Sequence, residues 1–419
     1  MSPYIVILNE EQEKIKNEAI HWFLYESEQV FEIAGPAGTG KSVLIGQILR
    51  ELNLEINQVA PMSFTGQASI VMRTRGFPNA RSIHSTLYEL VDVEDDSEIL
   101  AAKFGARGKK KEFRLRTFID PAIRLFFIDE AWMVPDFMVK DILSFGIKVI
   151  VAGDQHQLPP VGGNPGFLTG YGVHYLTQLM RQAENDPIVY LASRAMNGLP
   201  LHLGQYGRNV LVINDDDIIP QMFGFSNCII CGTNKTREIM NGYVRWLAGY
   251  SDSIMPRYGE RIICRKNNWE MCIDGIALAN GLAGTVVNNP DPMAFDGQIF
   301  KVNFKPDLTD RVFWDVPINY KYFVAPFDEK NGMKSSFDAK WMLGELFDYA
   351  YALTTHLAQG SEYESCMYIE EYLRYDIQKQ LNYTGITRAK QFLIYVKKNK
   401  KNMAFIKSNF PVQQQIAVQ

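Results

Sequence analysis

The segment Gly35-Pro36-Ala37-Gly38-Thr39-Gly40-Lys41-Ser42 places a lysine and a hydroxyl directly behind a glycine-rich stretch. Glycines let the backbone curl until successive N–H groups point inward, where they and the N-terminus of a following helix can meet phosphate oxygens. In such a Walker A loop Lys41 reaches the outer phosphates, Ser42 supplies an oxygen to magnesium, and Gly35, Gly38, Thr39 and Gly40 form the cradle. Farther along, Asp129 and Glu130 stand side by side after an apolar run. Magnesium takes hard oxygen ligands and hydrolysis needs a base beside water, which assigns Asp129 to the metal and Glu130 to the attacking water. The chemistry expected is hydrolysis of a nucleoside triphosphate with Mg2+.

That chemistry needs a sheet edge to hold it. The loop follows the strand-like Val30 to Ile33 and precedes the helix-spaced Val43, Leu44, Ile48 and Leu49; the acidic pair follows Leu125 to Ile128. Both therefore belong at the carboxyl edge of one parallel sheet, where ligands of open α/β sheets collect. Val149 to Ala152 extends this series, and a second one runs through Val210 to Ile213, Cys228 to Cys231, Arg261 to Cys264, Cys366 to Ile369 and Phe392 to Val396. Strands alternating with helical spacing predict an α/β chain of two lobes.

Two stretches interrupt the pattern. From Tyr88 to Arg116 an acidic patch (VEDDSE) runs into a basic one (KFGARGKKKEFRLR), which reads as an exposed insertion or a solvated loop. Between Trp269 and Asn331 lie glycine and proline turns and an alternation of Phe300, Val302 and Phe304 with Lys301, Asn303 and Lys305, the pattern of a small β insertion. The resulting division is a first lobe over 1–87 and 117–170, an insertion over 88–116, a second lobe over 171–268 and 332–419, and a β insertion over 269–331.

Bulk composition sets limits. A chain of 419 residues, 47% hydrophobic and 21% charged, exceeds one ordinary core and is neither disordered nor membrane-like. Its formal charge of -4 does not advertise nucleic-acid binding, although a basic groove fits on an acidic protein. With no leader-like start and no apolar run of membrane length, the expectation is a cytoplasmic protein without membrane contact. The cysteines are scattered, and Cys228 and Cys231 fall inside an apolar run better read as a buried strand than as a zinc site. The lysine-rich KKNKKN near the C-terminus reads as a solvated tail.

Beyond the phosphate loop, further segments in order resemble superfamily 1 helicases of the RecD-like and Dda-like branch (superfamily 1B). Leu8-Asn9-Glu10-Glu11-Gln12 is similar to the element that reads adenine through a glutamine, here Gln12. Ser63-Phe64-Thr65-Gly66-Gln67-Ala68 and Arg81-Ser82-Ile83-His84-Ser85 resemble the strand-contacting motifs of the first lobe, with Ser63, Phe64 and His84 as contacts. Gly153-Asp154-Gln155-His156-Gln157-Leu158-Pro159-Pro160-Val161 is similar to the coupling motif whose glutamine, at Gln157, senses the terminal phosphate. Leu179-Met180-Arg181-Gln182 and Asn382-Tyr383-Thr384-Gly385-Ile386-Thr387-Arg388-Ala389 resemble the motifs that present Arg181 and Arg388 to the nucleotide. Tyr351 to Glu362 resembles the motif joining strand contact (Thr354, His356) to hydrolysis (Gln359, Gly360).

The resemblance implies two RecA-like lobes facing each other across ATP, a wedge insertion in the first and an SH3-like barrel in the second. It implies a motor moving 5' to 3' on single-stranded DNA, acting at single-strand/duplex junctions, with replication or recombination proteins as partners. A viral-type RNA helicase of the same superfamily and an NTP-dependent remodelling factor without unwinding are the alternatives. Within the wedge, Phe104 or Phe113 is the apolar tip. Asn280-Gly281 resembles a turn that makes a backbone contact or an ordinary hairpin. His84 and His356 are strand or lobe contacts by motif position and core histidines by residue type. Leu357 and Gln67 stand where the family usually has lysines, and Trp132 replaces a small residue, where filling core is expected.

Overall fold

The computed structural model describes residues 7–93, 110–180, 185–250, 253–290, 297–326, 328–330, 333, 344–373 and 376–397, with the backbone alone for 92, 93, 110 and 111. The first lobe opens with α1 (Glu10–Tyr25), started by a capping box in which Asn9 and Gln12 satisfy each other's backbone N–H groups. Then come β1 (Val30–Ala34), α2 (Lys41–Glu51), β2 (Val59–Ser63), α3 (Gly66–Thr74), β3 (Arg81–Ser82) and α4 (Ile83–Leu87). A hairpin of β4 (Tyr88–Val93) and β5 (Lys110–Leu115) interrupts, and β6 (Leu125–Asp129), β7 (Lys148–Gly153) and β8 (Val173–Tyr175) complete the lobe. The sheet is parallel throughout, in the order β3-β2-β6-β7-β1-β8. Its central strands are buried on both faces, which is why they read as unbroken apolar runs.

The second lobe contains β9 (Gly204–Tyr206), β10 (Val210–Asn214) and β11 (Cys228–Cys231), followed by the helix Asn234–Leu247. After them come β12 (Arg261–Cys264), β13 (Asn268–Ile273), β14 (Ile276–Leu278), β15 (Ala283–Val286), β16 (Ile299–Pro306), β17 (Phe313–Asn319) and β18 (Phe347–Tyr349). The chain then returns through β19 (Ala352–Thr354), β20 (Tyr363–Ile369), the helix Gln378–Ile386 and β21 (Ala389–Lys397). A second six-stranded sheet, β19-β11-β20-β21-β10-β9, is parallel except for the edge strand β9. Cys228 and Cys231 sit in its buried centre as free thiols, and burial pushes the Cys228 thiol up to about 12.

Three features correct or refine the sequence reading. Val173–Tyr175 pairs with β1, so the first sheet continues past the boundary placed at 170. Arg261–Cys264 lies in an antiparallel five-stranded sheet, β17-β16-β15-β12-β18, rather than in the second parallel sheet. This small sheet therefore reaches outside 269–331 at both ends. A four-residue apolar run records burial but not the direction of its neighbours, and β12 is buried between β15, inside 269–331, and β18, beyond it. Finally, 88–116 is not a plain loop at its base: Tyr88 pairs with Leu115 and Leu90 with Phe113, and apolar cross-strand pairs of this kind stabilise a two-stranded ribbon. Phe104 and the basic residues Lys103, Arg107 and Lys109 lie outside the described residues, as does KKNKKN. Among the described residues no helix is long and apolar enough to cross a membrane.

Candidate functional site

The carboxyl edge of the first sheet brings the residues expected to form a phosphate site to one place. β1 ends at Ala34, the glycine loop turns, and α2 begins at Lys41. Gly40 has φ of 79°, and a Cβ there would come within 2.6 Å of the Gln12 amide, so geometry and space both demand glycine. Lys41 Nζ donates to the carbonyls of Gly35 (2.6 Å) and Pro36 (3.1 Å), folded over the loop it belongs to. Asp129 closes β6, and Glu130 follows with φ of 53°, a left-handed conformation that costs a non-glycine residue energy and recurs at functional sites. Desolvation, and then the neighbouring Asp129, push the Glu130 carboxyl above its ordinary range; Arg388 and Lys41 pull the other way.

Ser42 and Asp129 converge on one positive group. Arg75, at the end of α3, brings its guanidinium 3.4 Å from Ser42 Oγ and 3.8 Å from Asp129 Oδ2. The oxygen pair therefore already stabilises a cation. Gln157 is buried, and its Oε1 has no hydrogen-bond partner among the described residues, so an acceptor is left for something beyond the protein.

The second lobe seats on this edge. Tyr383 OH accepts from the N–H of Ala37 in the phosphate loop (2.8 Å) and donates to the Asp154 carboxylate. Thr384 Oγ1 accepts from Leu158 N–H at 3.0 Å, and Gln359 Nε2 donates to Leu158 O at 2.8 Å. Both backbone groups of Leu158 are thus held from the opposite lobe. Gly360, with φ of 73°, lies so close to α3 that a Cβ would meet Ala68 Cβ at 2.8 Å. Tyr383, Thr384, Arg75 and Glu362 were not singled out as site residues in the sequence. Tyr383 and Thr384 sit inside a recognised segment, whereas nothing local to the end of α3 marks Arg75.

Several expected side chains are committed elsewhere. The Gln12 amide is shared between the α1 cap and Thr39 O (3.0 Å), so it fastens α1 to the glycine loop. Gln359 meets Leu158 and Gly360 meets α3, because polar atoms buried at a lobe contact must find partners across it. Arg388 is buried with donors on Thr384 O, Ser361 O and Thr387 Oγ1, near enough for its charge to act on Glu130. Met180 N–H donates to Gly38 O, while Arg181 lies outside the described residues. Ser63 is buried with its hydroxyl on Thr65 O, and Thr354 is buried beside Leu357 N–H, so neither presents its side chain at the surface. Trp132 is partly buried in the first-lobe core and donates from Nε1 to Gln157 O at 3.1 Å.

The remaining strand-contact candidates gather on another face. His84 lies 5.6 Å from each of Tyr88, Phe113 and Trp269, ring centroid to centroid, with Phe64 at 6.2 Å. Burial lowers the His84 pKa, so the ring is neutral at pH 7. The β13–β14 hairpin carries Trp269 to this cluster, and Arg73 NH1 bonds Asp274 O (3.0 Å) to hold it there. Asn280 is exposed in a tight turn between β14 and β15, which do not pair with each other, so the hairpin alternative falls away. Ala279 beside it lies within 3.7 Å of the Cβ position on Gly66. His356 is also desolvated and its pKa lowered.

Residues 7–212 match the family described as an AAA domain. An uncharacterized protein of Methanocaldococcus jannaschii is 24% identical over 96% of this chain, and the ATP-dependent DNA helicase Pif1 of Bdellovibrio bacteriovorus is 31% identical over 33% of it. The matches span 39% and 30% of those two curated relatives. Among solved structures, Pif1 helicase from Candida albicans superimposes with a TM-score of 0.50 at 16% identity, covering 96% of both chains. The chain has the fold of the Pif1 helicase structures. Pif1 helicase from Bacteroides in complex with ADP-AlF3 and ssDNA matches equally far, with a TM-score of 0.51 at 16% identity over 98% of this chain and 96% of that one. In this fold the two six-stranded sheets are RecA-like lobes, and the contacts of Tyr383, Thr384 and Gln359 lie between them.

Proposed function

We propose that this chain is an ATP-dependent DNA helicase that tracks 5' to 3' along single-stranded DNA and opens the duplex at a junction. The observation that carries the reading is the seating of second-lobe Tyr383, Thr384 and Gln359 on the phosphate loop and on the Asp154–Leu158 segment. Any change at the phosphates is then felt as a change in lobe contact, which is what a motor requires. The Bdellovibrio relative is named an ATP-dependent DNA helicase and the Bacteroides neighbour was captured with ssDNA; both support extending that activity to this chain.

In this reading the loop from Gly35 to Ser42 holds the phosphates of ATP, and Lys41 turns from its own carbonyls to the outer ones. Ser42 and Asp129 hold Mg2+, a role suited to two oxygens that already face a cation. When bound, Mg2+ neutralises charge on the phosphates. Glu130 takes the proton of the attacking water, Gln157 senses the terminal phosphate, and Arg181 and Arg388 neutralise charge as hydrolysis proceeds. The strand runs over Phe64, His84, Asn280 and His356, where aromatic faces and backbone contacts tolerate any sequence. The β4–β5 hairpin is the wedge, with Phe113 against the aromatic cluster at its base. The site of action is the cytoplasm, and replication or recombination proteins are the expected company.

The test is ATP hydrolysis with single-stranded DNA, single-stranded RNA or neither, together with unwinding of forked DNA bearing a single 5' or 3' tail. DNA-stimulated hydrolysis with unwinding from the 5' tail supports the proposal. Stimulation by RNA alone, hydrolysis without strand separation, or unwinding only from the 3' tail would each overturn a named part of it.

A further inference from the structure

Arg75 belongs to none of the recognised segments, yet its side chain enters the proposed metal site. NH1 lies 3.4 Å from Ser42 Oγ and 3.8 Å from Asp129 Oδ2, and NH2 is 2.5 Å from Glu362 Oε1 on the second lobe. One guanidinium therefore faces both proposed metal ligands from the first lobe and an anion from the other. An arginine guanidinium stays charged at any pH a protein meets.

A divalent cation held by Ser42 and Asp129 would face this guanidinium at a few ångströms, where like charges repel strongly even with partial screening. Glu362 offers the guanidinium a place to go without leaving the cleft. We propose that Arg75 is a built-in counter-cation of the metal site: it yields Ser42 and Asp129 to the incoming metal and withdraws onto Glu362. Metal loading and the ion pair across the lobes are thereby coupled. This rests on the nucleotide site proposed above. A simple surface ion pair, of little energetic weight, would leave metal affinity untouched.

The test measures Mn2+ binding to the full chain with saturating ADP, read by the loss of free Mn2+ signal in electron paramagnetic resonance. Arg75→Gln removes the competing charge and binds Mn2+ about tenfold more tightly, equivalent to about 1.4 kcal/mol. Arg75→Lys keeps the charge and stays near the parent. Glu362→Gln leaves Arg75 on Asp129 and weakens binding several-fold, an effect that vanishes in the double variant with Arg75→Gln. Unchanged affinity in Arg75→Gln overturns the proposal, and weakened affinity overturns it in favour of a contact with phosphate. A parent that binds Mn2+ and ADP but shows neither effect leaves the nucleotide reading standing; a parent that binds no Mn2+ with ADP removes that reading and this inference together.

Discussion

Replacing Tyr383 by phenylalanine deletes one oxygen and leaves the buried ring in the second-lobe core. Two hydrogen bonds between the lobes go with it, one from the N–H of Ala37 and one to the carboxylate of Asp154. Burial and the Asp154 charge hold the phenol pKa above its ordinary range, so the hydroxyl donates throughout the neutral region. A neutral hydrogen bond contributes about 1 kcal/mol and one to a charged group about 1.5–3 kcal/mol. Asp154 keeps the N–H of His156 at 3.0 Å, which places the expected loss at the lower end, about 2–3 kcal/mol. Because both bonds cross between the lobes, the loss falls on their contact and not on either core. Native-state hydrogen exchange of a peptide covering the phosphate loop reads that contact directly. The amide of Ala37 should exchange roughly 30- to 150-fold faster in Tyr383→Phe, while β6 and β20 keep their protection. Unchanged exchange at Ala37 would refute the clamp. Equal acceleration across both sheets would show that the hydroxyl serves general stability.

Glu130→Gln should retain nucleotide and strand binding but lose turnover by about 10²- to 10⁴-fold, checked by ATPase against nucleotide affinity; near-normal hydrolysis would remove Glu130 as the base. Desolvation raises the Glu130 pKa and a base must be deprotonated, so turnover should fall with decreasing pH through a limb above the ordinary carboxylate range, seen in the kcat profile of the parent. Arg388→Ala should depress kcat far more than nucleotide affinity, and equal losses in both would mark an ordinary ground-state contact. Asp348 is buried among Lys330 (2.8 Å), Arg237 (3.1 Å) and Arg265 (3.2 Å), so Asp348→Asn should destabilise the second lobe by about 3–5 kcal/mol in chemical denaturation. Burial raises that carboxyl's pKa but the three cations lower it further, so its stabilisation is present above the ordinary carboxylate pKa and is lost as pH falls below it. Replacing 88–116 by a short glycine-serine linker should abolish unwinding and spare DNA-stimulated hydrolysis; unwinding at the parent rate would eliminate the wedge.

The candidate phosphate site was legible in the chain because its residues lie in short local segments. The loop from Gly35 to Ser42 and the Asp129-Glu130 pair each follow directly on a strand, and a parallel sheet brings strand ends to one edge whatever lies between them. The two-lobe α/β fold was legible for a similar reason, since strands buried on both faces must be apolar along their whole length. Strand partners were not, and so Arg261–Cys264 and Val173–Tyr175 went to other sheets than the sequence indicated. Pairing is decided by which surfaces meet, and a short apolar run carries no record of that. The same holds across the lobes. Nothing in the sequence says that Tyr383 caps the amide of Ala37, or that Arg75 reaches Ser42, Asp129 and Glu362 together. These contacts join residues as far apart as 346 positions along the chain. They exist because two separately folded sheets present their edges to each other, and buried polar groups at that contact must be satisfied across it.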